Sequence, residues 1–218
     1  MRFIGLAADL VPGRILASDR PLRVPGRAGS VAGGALGFGS VSVLVFACWA
    51  YAGRWFCSHV GEAGAYLAWA AIFVVGSGGL SGRWVIGAGS GRRFFGGFAF
   101  ASMAYSVVWI AAWCASPDRF GGIFGALVGV AAFGACLCGM FDAWRAWPST
   151  MVGLAVGNLA GYFLGEALHD LYGGHAGKLL WGLSYGPGFG AGTGHALHAV
   201  QSGLRGRSTS LTETRRRG

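Results

Sequence analysis

The sequence predicts an all-α integral membrane protein, a bundle of about six transmembrane helices packed through glycine. Three observations lead to this class: apolar composition, an excess of glycine, and the position of the basic residues. Of 218 residues, 54% are hydrophobic, 11% are charged and 42 are glycine. Average glycine usage is about 7%, and no collagen-like period is present here. Repeated apolar runs of about 20 residues have the length that a hydrocarbon core requires.

Six apolar runs predict the individual spans. We place them at residues 31–51, 61–80, 94–114, 120–141, 151–171 and 179–200, which together form one transmembrane domain, 31–200. The second run is the weakest, because only residues 63–75 are strongly apolar before a Gly-Ser-Gly-Gly sequence. A shorter, re-entrant segment is the alternative for that run.

The two flanking segments are basic and polar. In residues 1–30, Ile4, Val11 and Ile15 could share one face of an interfacial helix. The preferred interpretation is a mobile basic tail, with the interfacial helix and an arginine-rich organellar presequence as the alternatives. Residues 201–218 are rich in Ser, Thr and Arg, which predicts a disordered cytoplasmic tail. Arginines in both segments are expected to contact anionic lipid.

The distribution of basic residues predicts the orientation, because Lys and Arg accumulate in cytoplasmic loops. Of the 17 basic residues, all but Arg54, Arg119 and Lys178 fall on the side that holds both termini. Both termini are therefore predicted to be cytoplasmic, in a bacterial inner membrane or alternatively an organellar one. The net charge is +9, but the basic residues lie at the termini and between the apolar runs, as in a membrane protein. Nucleic acid is therefore not an expected partner.

Two glycine ladders predict the closest helix packing. Residues four apart lie above one another on a helix, so glycines at that spacing leave a groove without side chains. In lipid, such grooves let helix backbones approach closely. The last two spans are therefore expected to form a tight hairpin through these helix-packing residues: Gly153, Gly157, Gly161 and Gly165, then Gly182, Gly186, Gly190 and Gly194.

Polar residues in the fifth span suggest a site. Glu166, His169 and Asp170 lie within one helical turn, and His175 follows shortly after. The first interpretation is a solvated helix end whose charges lie in the headgroup region. The alternatives are a metal site, because imidazole and carboxylate groups together suit a metal ion, and an entry site for an ion or proton. With Asn158 near the middle of the same span, Glu166, His169 and Asp170 form a candidate pathway for an ion or solute.

Three functions are compatible with these features. The first hypothesis is a structural or assembly subunit of a larger membrane complex, because intramembrane charge is scarce and small-residue faces are abundant. Its partners would be other membrane subunits or a second copy of the chain. The alternative is a channel or transporter for a small solute or ion, and the third is a metal-dependent membrane enzyme. No catalytic residues are predicted, and no cofactor is predicted other than a metal ion at the polar cluster.

Overall fold

The computed structural model describes residues 26–85, 90–116 and 119–217 and contains no strand among them. The all-helical prediction is confirmed. Six α-helices account for most of these residues: α1 Arg27–Ala47, α2 Gly53–Ser81, α3 Ser90–Ala115, α4 Arg119–Phe141, α5 Trp147–Tyr172 and α6 Gly174–Arg217. Short 3-10 helices at Gly82–Trp84 and Trp144–Ala146 follow α2 and precede α5.

The break between the first two predicted spans lies at Gly61. A π-helical segment, Cys48–Ala52, joins α1 to α2, and the chain stays helical until Gly61 adopts φ 74° and ψ 168°. This backbone conformation is open to glycine and strained for other residues. Beyond Gly61 the rest of α2 packs back against α1, where Gly76 lies against Val41. The second predicted span is thus helical, and residues Gly64–Trp84 are long and apolar enough to cross a membrane.

Five stretches of the described chain are long and apolar enough to span a membrane: Arg27–Gly61, Gly64–Trp84, Phe94–Ala112, Phe120–Phe141 and Trp144–Tyr172. Helix α6 is not among them. Its glycines add little hydropathy, and Thr193, His195 and His198 lower the average further. The least apolar helix is nevertheless the central one.

Helix α6 lies between α1 and α5 and packs closely against both. Its glycine ladder, Gly182 to Gly194, faces α1. A Cβ added at Gly190 would lie 2.6 Å from the Cβ of Phe38, and one at Gly194 would lie 2.8 Å from the carbonyl carbon of Ser30. The two helices therefore meet backbone against backbone, running in opposite directions.

A different pair of glycines on α6 faces α5. A Cβ added at Gly188 would lie 2.8 Å from the Cα of Gly161, and one at Gly192 would lie 2.7 Å from the carbonyl oxygen of Gly153. The sequence predicted that both ladders form one hairpin groove, but the structure places the second ladder against α1. Two residues advance a helix by about 200°, so Gly188 and Gly192 lie nearly opposite the ladder.

Helices α3 and α4 form a second hairpin beside this three-helix layer. Here too glycine permits the approach, because a Cβ at Gly125 would lie 2.9 Å from that of Ala112. The core between the two groups is aromatic, with Phe98, Phe133 and Phe189 almost completely buried.

The flanking segments differ in part from prediction. Residues 1–25, most of the predicted basic N-terminal segment, lie outside the described residues, and α1 begins at Arg27. The predicted disordered tail needs correction, because α6 continues from Gln201 to Arg217. Extending an existing helix avoids the cost of nucleation, and no proline interrupts this segment.

Replacing Gly190 by Ala should destabilise the protein. The added methyl group has no space against Phe38, and such overpacking costs about 1–3 kcal/mol. Gly79→Ala is the matched control, because within the described structure a Cβ at Gly79 has open space, with no neighbouring atom within 4 Å. Free energies of unfolding in mixed micelles of mild detergent and dodecyl sulfate measure both variants. Equal stability of the two variants would contradict the close contact of α1 with α6.

Candidate functional site

The buried polar group at the centre of the bundle is Asn158. Its side chain is 0% exposed, and its Oδ1 accepts a hydrogen bond of 3.4 Å from the hydroxyl of Tyr105 on α3. Tyr185 on α6 also lies within hydrogen-bonding reach of Tyr105. Within the described structure, the Nδ2 of Asn158 has no hydrogen-bond partner. Three helices thus bring polar side chains together at one point in an otherwise apolar core.

Two neighbouring cavities lie beside these tyrosines, because Tyr105 and Tyr185 line both of them. The first, which we call the central crevice, has a volume of about 180 Å³. It lies among α1, α2, α3, α4 and α6, and its wall includes these aromatic residues: Phe38, Phe73, Phe98, Phe133 and Phe189. The second, which we call the end cavity, has a volume of about 190 Å³ and is lined further by Phe46, Trp109, Tyr162 and Trp181. None of the described residues that line either cavity carries a charge.

Phe189 organises the wall of the central crevice. Its ring lies 5.0 Å from that of Phe38, 5.5 Å from that of Tyr105 and 5.6 Å from that of Phe133, between ring centroids. These separations are typical of favourable aromatic pairs. The crevice therefore has a rigid aromatic wall with hydroxyl groups on one side.

Aromatic rings also cover one end of the bundle, which we call the aromatic end and define by Trp49, Tyr51 and Trp181. The ring of His169 lies 6.4 Å from that of Trp49 and 5.2 Å from that of Trp181. The ring of His175 stacks on that of Tyr51 at 5.0 Å.

A basic hollow lies at the same end. The Nζ of Lys178 lies 4.3 Å above the ring of Trp49. Lys178 and Arg54 line the hollow, which has a volume of about 680 Å³.

The structure does not gather the predicted metal ligands into one site. The Nδ1 of His169 lies 3.8 Å from a carboxylate oxygen of Asp170, while His175 packs on Tyr51 instead. In the part of the chain that the structure describes, no three His, Cys, Asp or Glu side chains come close enough to hold a metal ion. Glu166 is half-buried, so the four residues lie near the aromatic end without forming a cage.

The candidate pathway residues lie along one side of α5. Asn158 is at the centre, Glu166 follows about 12 Å further along the helix, and His169 and Asp170 end the row. The exposed fraction of the side chain rises from 29% at His169 to 77% at Asp170. The end cavity lies beside this row through Tyr162, so the row connects the buried centre with the aromatic end.

Sequence analysis missed Tyr105, which donates the hydrogen bond to Asn158. The sequence did indicate a buried polar group there, because Tyr105 carries a hydroxyl and lies near the middle of the predicted span 94–114. It also missed the contact of His195 with Ser149 at the opposite end, where the hydroxyl oxygen lies 3.0 Å from Nε2.

Comparison of the chain with protein-family models, with curated proteins and with solved structures finds no match. The fold itself defines the class: the described part of the chain is an all-helical bundle with five helices long and apolar enough to cross a membrane.

Proposed function

We propose that this chain is a multi-pass membrane protein with six transmembrane helices and cytoplasmic termini, and that it passes a small uncharged solute between its helices. The distribution of residues supports the membrane placement. Large apolar side chains face outward, with Leu67 72% and Met103 66% exposed, while Ser42, Asn158 and Thr193 are buried. Soluble proteins bury their large apolar residues and expose polar ones. Lipid reverses that preference on the outer surface.

Helix α6 qualifies as the sixth span despite its low hydropathy. Its glycine faces are covered by α1 and α5, so the backbone polar groups there are shielded from lipid. Within a membrane such shielding allows helices that are less apolar. The antiparallel contacts also place Arg27, Arg83 and Arg145 at one end of the bundle, which we call the basic end and assign to the cytoplasm.

The observation that carries the solute hypothesis is the pair of neighbouring uncharged cavities that Tyr105 and Tyr185 both line. Ligand sites are mostly apolar cavities with a few polar groups that fix orientation. Asn158, whose Nδ2 has no hydrogen-bond partner within the described structure, supplies such a group next to Tyr105. The aromatic lining does not provide the rings of charge or carbonyls with which channels coordinate ions, so an uncharged solute fits better than an ion.

A second candidate function is a subunit of a larger membrane complex. It is favoured by the exposed apolar stripe on α3, where Phe100, Met103, Val107 and Ile110 follow the spacing of one helix face. The glycine ladders give it less support than the sequence suggested, because the contacts of Gly153 to Gly165 and of Gly182 to Gly194 are made within the chain.

Native mass spectrometry of the protein, extracted from its own membrane in mild detergent, separates the two candidates. For a solute-passing protein we expect the chain alone or as a homo-oligomer. Other polypeptides bound in a fixed ratio would support the complex instead.

The predicted orientation can be measured with the cysteines that the chain already has. Cys57 and Cys114 are exposed and belong to the aromatic end. A membrane-impermeant maleimide should therefore label them in intact cells. The Cys48→Ser/Cys57→Ser/Cys114→Ser variant, which also removes the half-buried thiol at the same end, should not be labelled. In that background, Ser202→Cys places an exposed thiol at the basic end and should react only after lysis. If Ser202→Cys is labelled in intact cells, the basic end faces outward and the predicted orientation is wrong.

Solute passage can be measured by stopped-flow light scattering of vesicles that contain the purified protein. We expect vesicles to equilibrate glycerol or urea faster than protein-free vesicles, and to remain closed to K⁺ and Cl⁻. Tyr105→Ala removes one of the two side chains that line both cavities. It should accelerate the equilibration of glycerol and urea severalfold. Tyr66→Ala, on the outer surface, is the matched control. The proposal is contradicted if vesicles with the folded wild-type protein and vesicles with Tyr105→Ala both equilibrate glycerol and urea no faster than protein-free vesicles.

A further inference from the structure

The central crevice opens sideways, between α2 and α3. At its rim, Ala70 on α2 and Ser106 on α3 are both exposed, whereas Phe98, Phe133 and Phe189 deeper in the crevice are buried. The surface around the rim is apolar, because Leu67, Met103 and Val107 point outward. In a bundle that spans a membrane, this opening faces hydrocarbon at about the middle of α3. A molecule would therefore enter from the lipid and not from water.

The size and lining of the crevice define the occupant. A dry apolar cavity of about 150 Å³ accommodates benzene, so the crevice, at about 180 Å³, accommodates one six-membered ring with a small substituent. The phenylalanine wall suits the faces and edges of such a ring. The hydroxyl groups of Ser102, Tyr105, Ser106 and Tyr185 also line the crevice. The hydroxyl of Tyr105 donates to Asn158, and its oxygen can still accept a hydrogen bond from a polar group of a ligand.

We propose that the central crevice binds a lipid-dissolved ring compound that carries one hydroxyl or carbonyl group. The ring lies against Phe98, Phe133 and Phe189. A ligand hydroxyl donates to the oxygen of Tyr105, or a ligand hydroxyl or carbonyl oxygen accepts from the hydroxyl of Ser102. Any longer apolar chain remains in the lipid between α2 and α3. This inference rests on the proposed membrane placement, and the ring compound is a ligand from the lipid, distinct from the water-borne solute of the flux measurement.

Photolabelling in phosphatidylcholine vesicles tests the crevice. The probe is an aryl trifluoromethyl diazirine with a benzylic hydroxyl, and its partner is the same aryl diazirine without the hydroxyl. We expect the hydroxyl probe to label Ala70, Val74 and Ser102 in preference to the outward residues Leu67 and Met103. The preference over the apolar probe should be about fivefold, which is what one net hydrogen bond is worth. Excess 4-propylphenol should suppress this labelling, and propylbenzene should not.

Two neighbouring variants make the test specific. Ser106→Leu fills the rim and should abolish crevice labelling, whereas Val107→Leu, one residue further and outward-facing, should leave it unchanged. Equal labelling of crevice and outer surface, or equal competition by the two propyl compounds, would overturn the proposal.

Labelling by the apolar probe distinguishes failure of the crevice proposal from failure of the proposed membrane placement. It should label Leu67 and Met103 whether or not the crevice binds a ligand. If these outward residues are not labelled, the membrane placement itself is wrong and the crevice proposal fails with it.

Discussion

Backbone contact on two sides of α6 is the constraint on which the rest of the bundle depends. Helices in lipid associate through van der Waals packing and hydrogen bonds and gain nothing from the hydrophobic effect between them. Glycine on both partners, as at Gly157 and Gly188, brings the carbonyl of one helix against the backbone of the other. Such approaches permit weak Cα–H···O contacts. The hydroxyl of Ser42 adds a buried hydrogen bond of 2.8 Å to the carbonyl of Gly182.

The same contact explains why the least apolar helix occupies the centre. A helix rich in glycine exposes its backbone and gains little by facing lipid, but covered by α1 and α5 it fills the space between them. Pro187 fits this arrangement, because it lies against Gly39 on α1, where an added Cβ would be 2.9 Å from its Cγ. The larger side chains of α6 are then confined to the remaining sides. Trp181, Tyr185 and Phe189 are spaced four residues apart. Trp181 packs against Phe46 on α1 and Tyr162 on α5 and lines the end cavity, Phe189 lines the central crevice, and Tyr185 lines both.

Much of the fold and less of the site could be predicted from the sequence. Span positions follow from apolar runs that match the thickness of a bilayer, and all six predicted spans fall on helices. Asn158 was recognisable as polar at depth, but its partner Tyr105 lies 53 positions earlier on another helix, and no local pattern relates the two. The metal site at Glu166, His169, Asp170 and His175 stays a prediction, because proximity in sequence does not fix side-chain direction. His175 packs on Tyr51, beyond the turn that ends α5.

By itself, the sequence determined the helical class, the approximate helix limits and which residues are small enough for close packing, since these depend on composition and on a period of 3.6 residues. It did not determine which glycine face meets which helix. The ladder from Gly182 to Gly194 has the spacing to suit either neighbour. Only the tertiary structure shows that this ladder contacts α1, whereas Gly188 and Gly192 contact α5. That choice is decided by the mutual fit of three helices at once, because each backbone surface can be covered by one neighbour only.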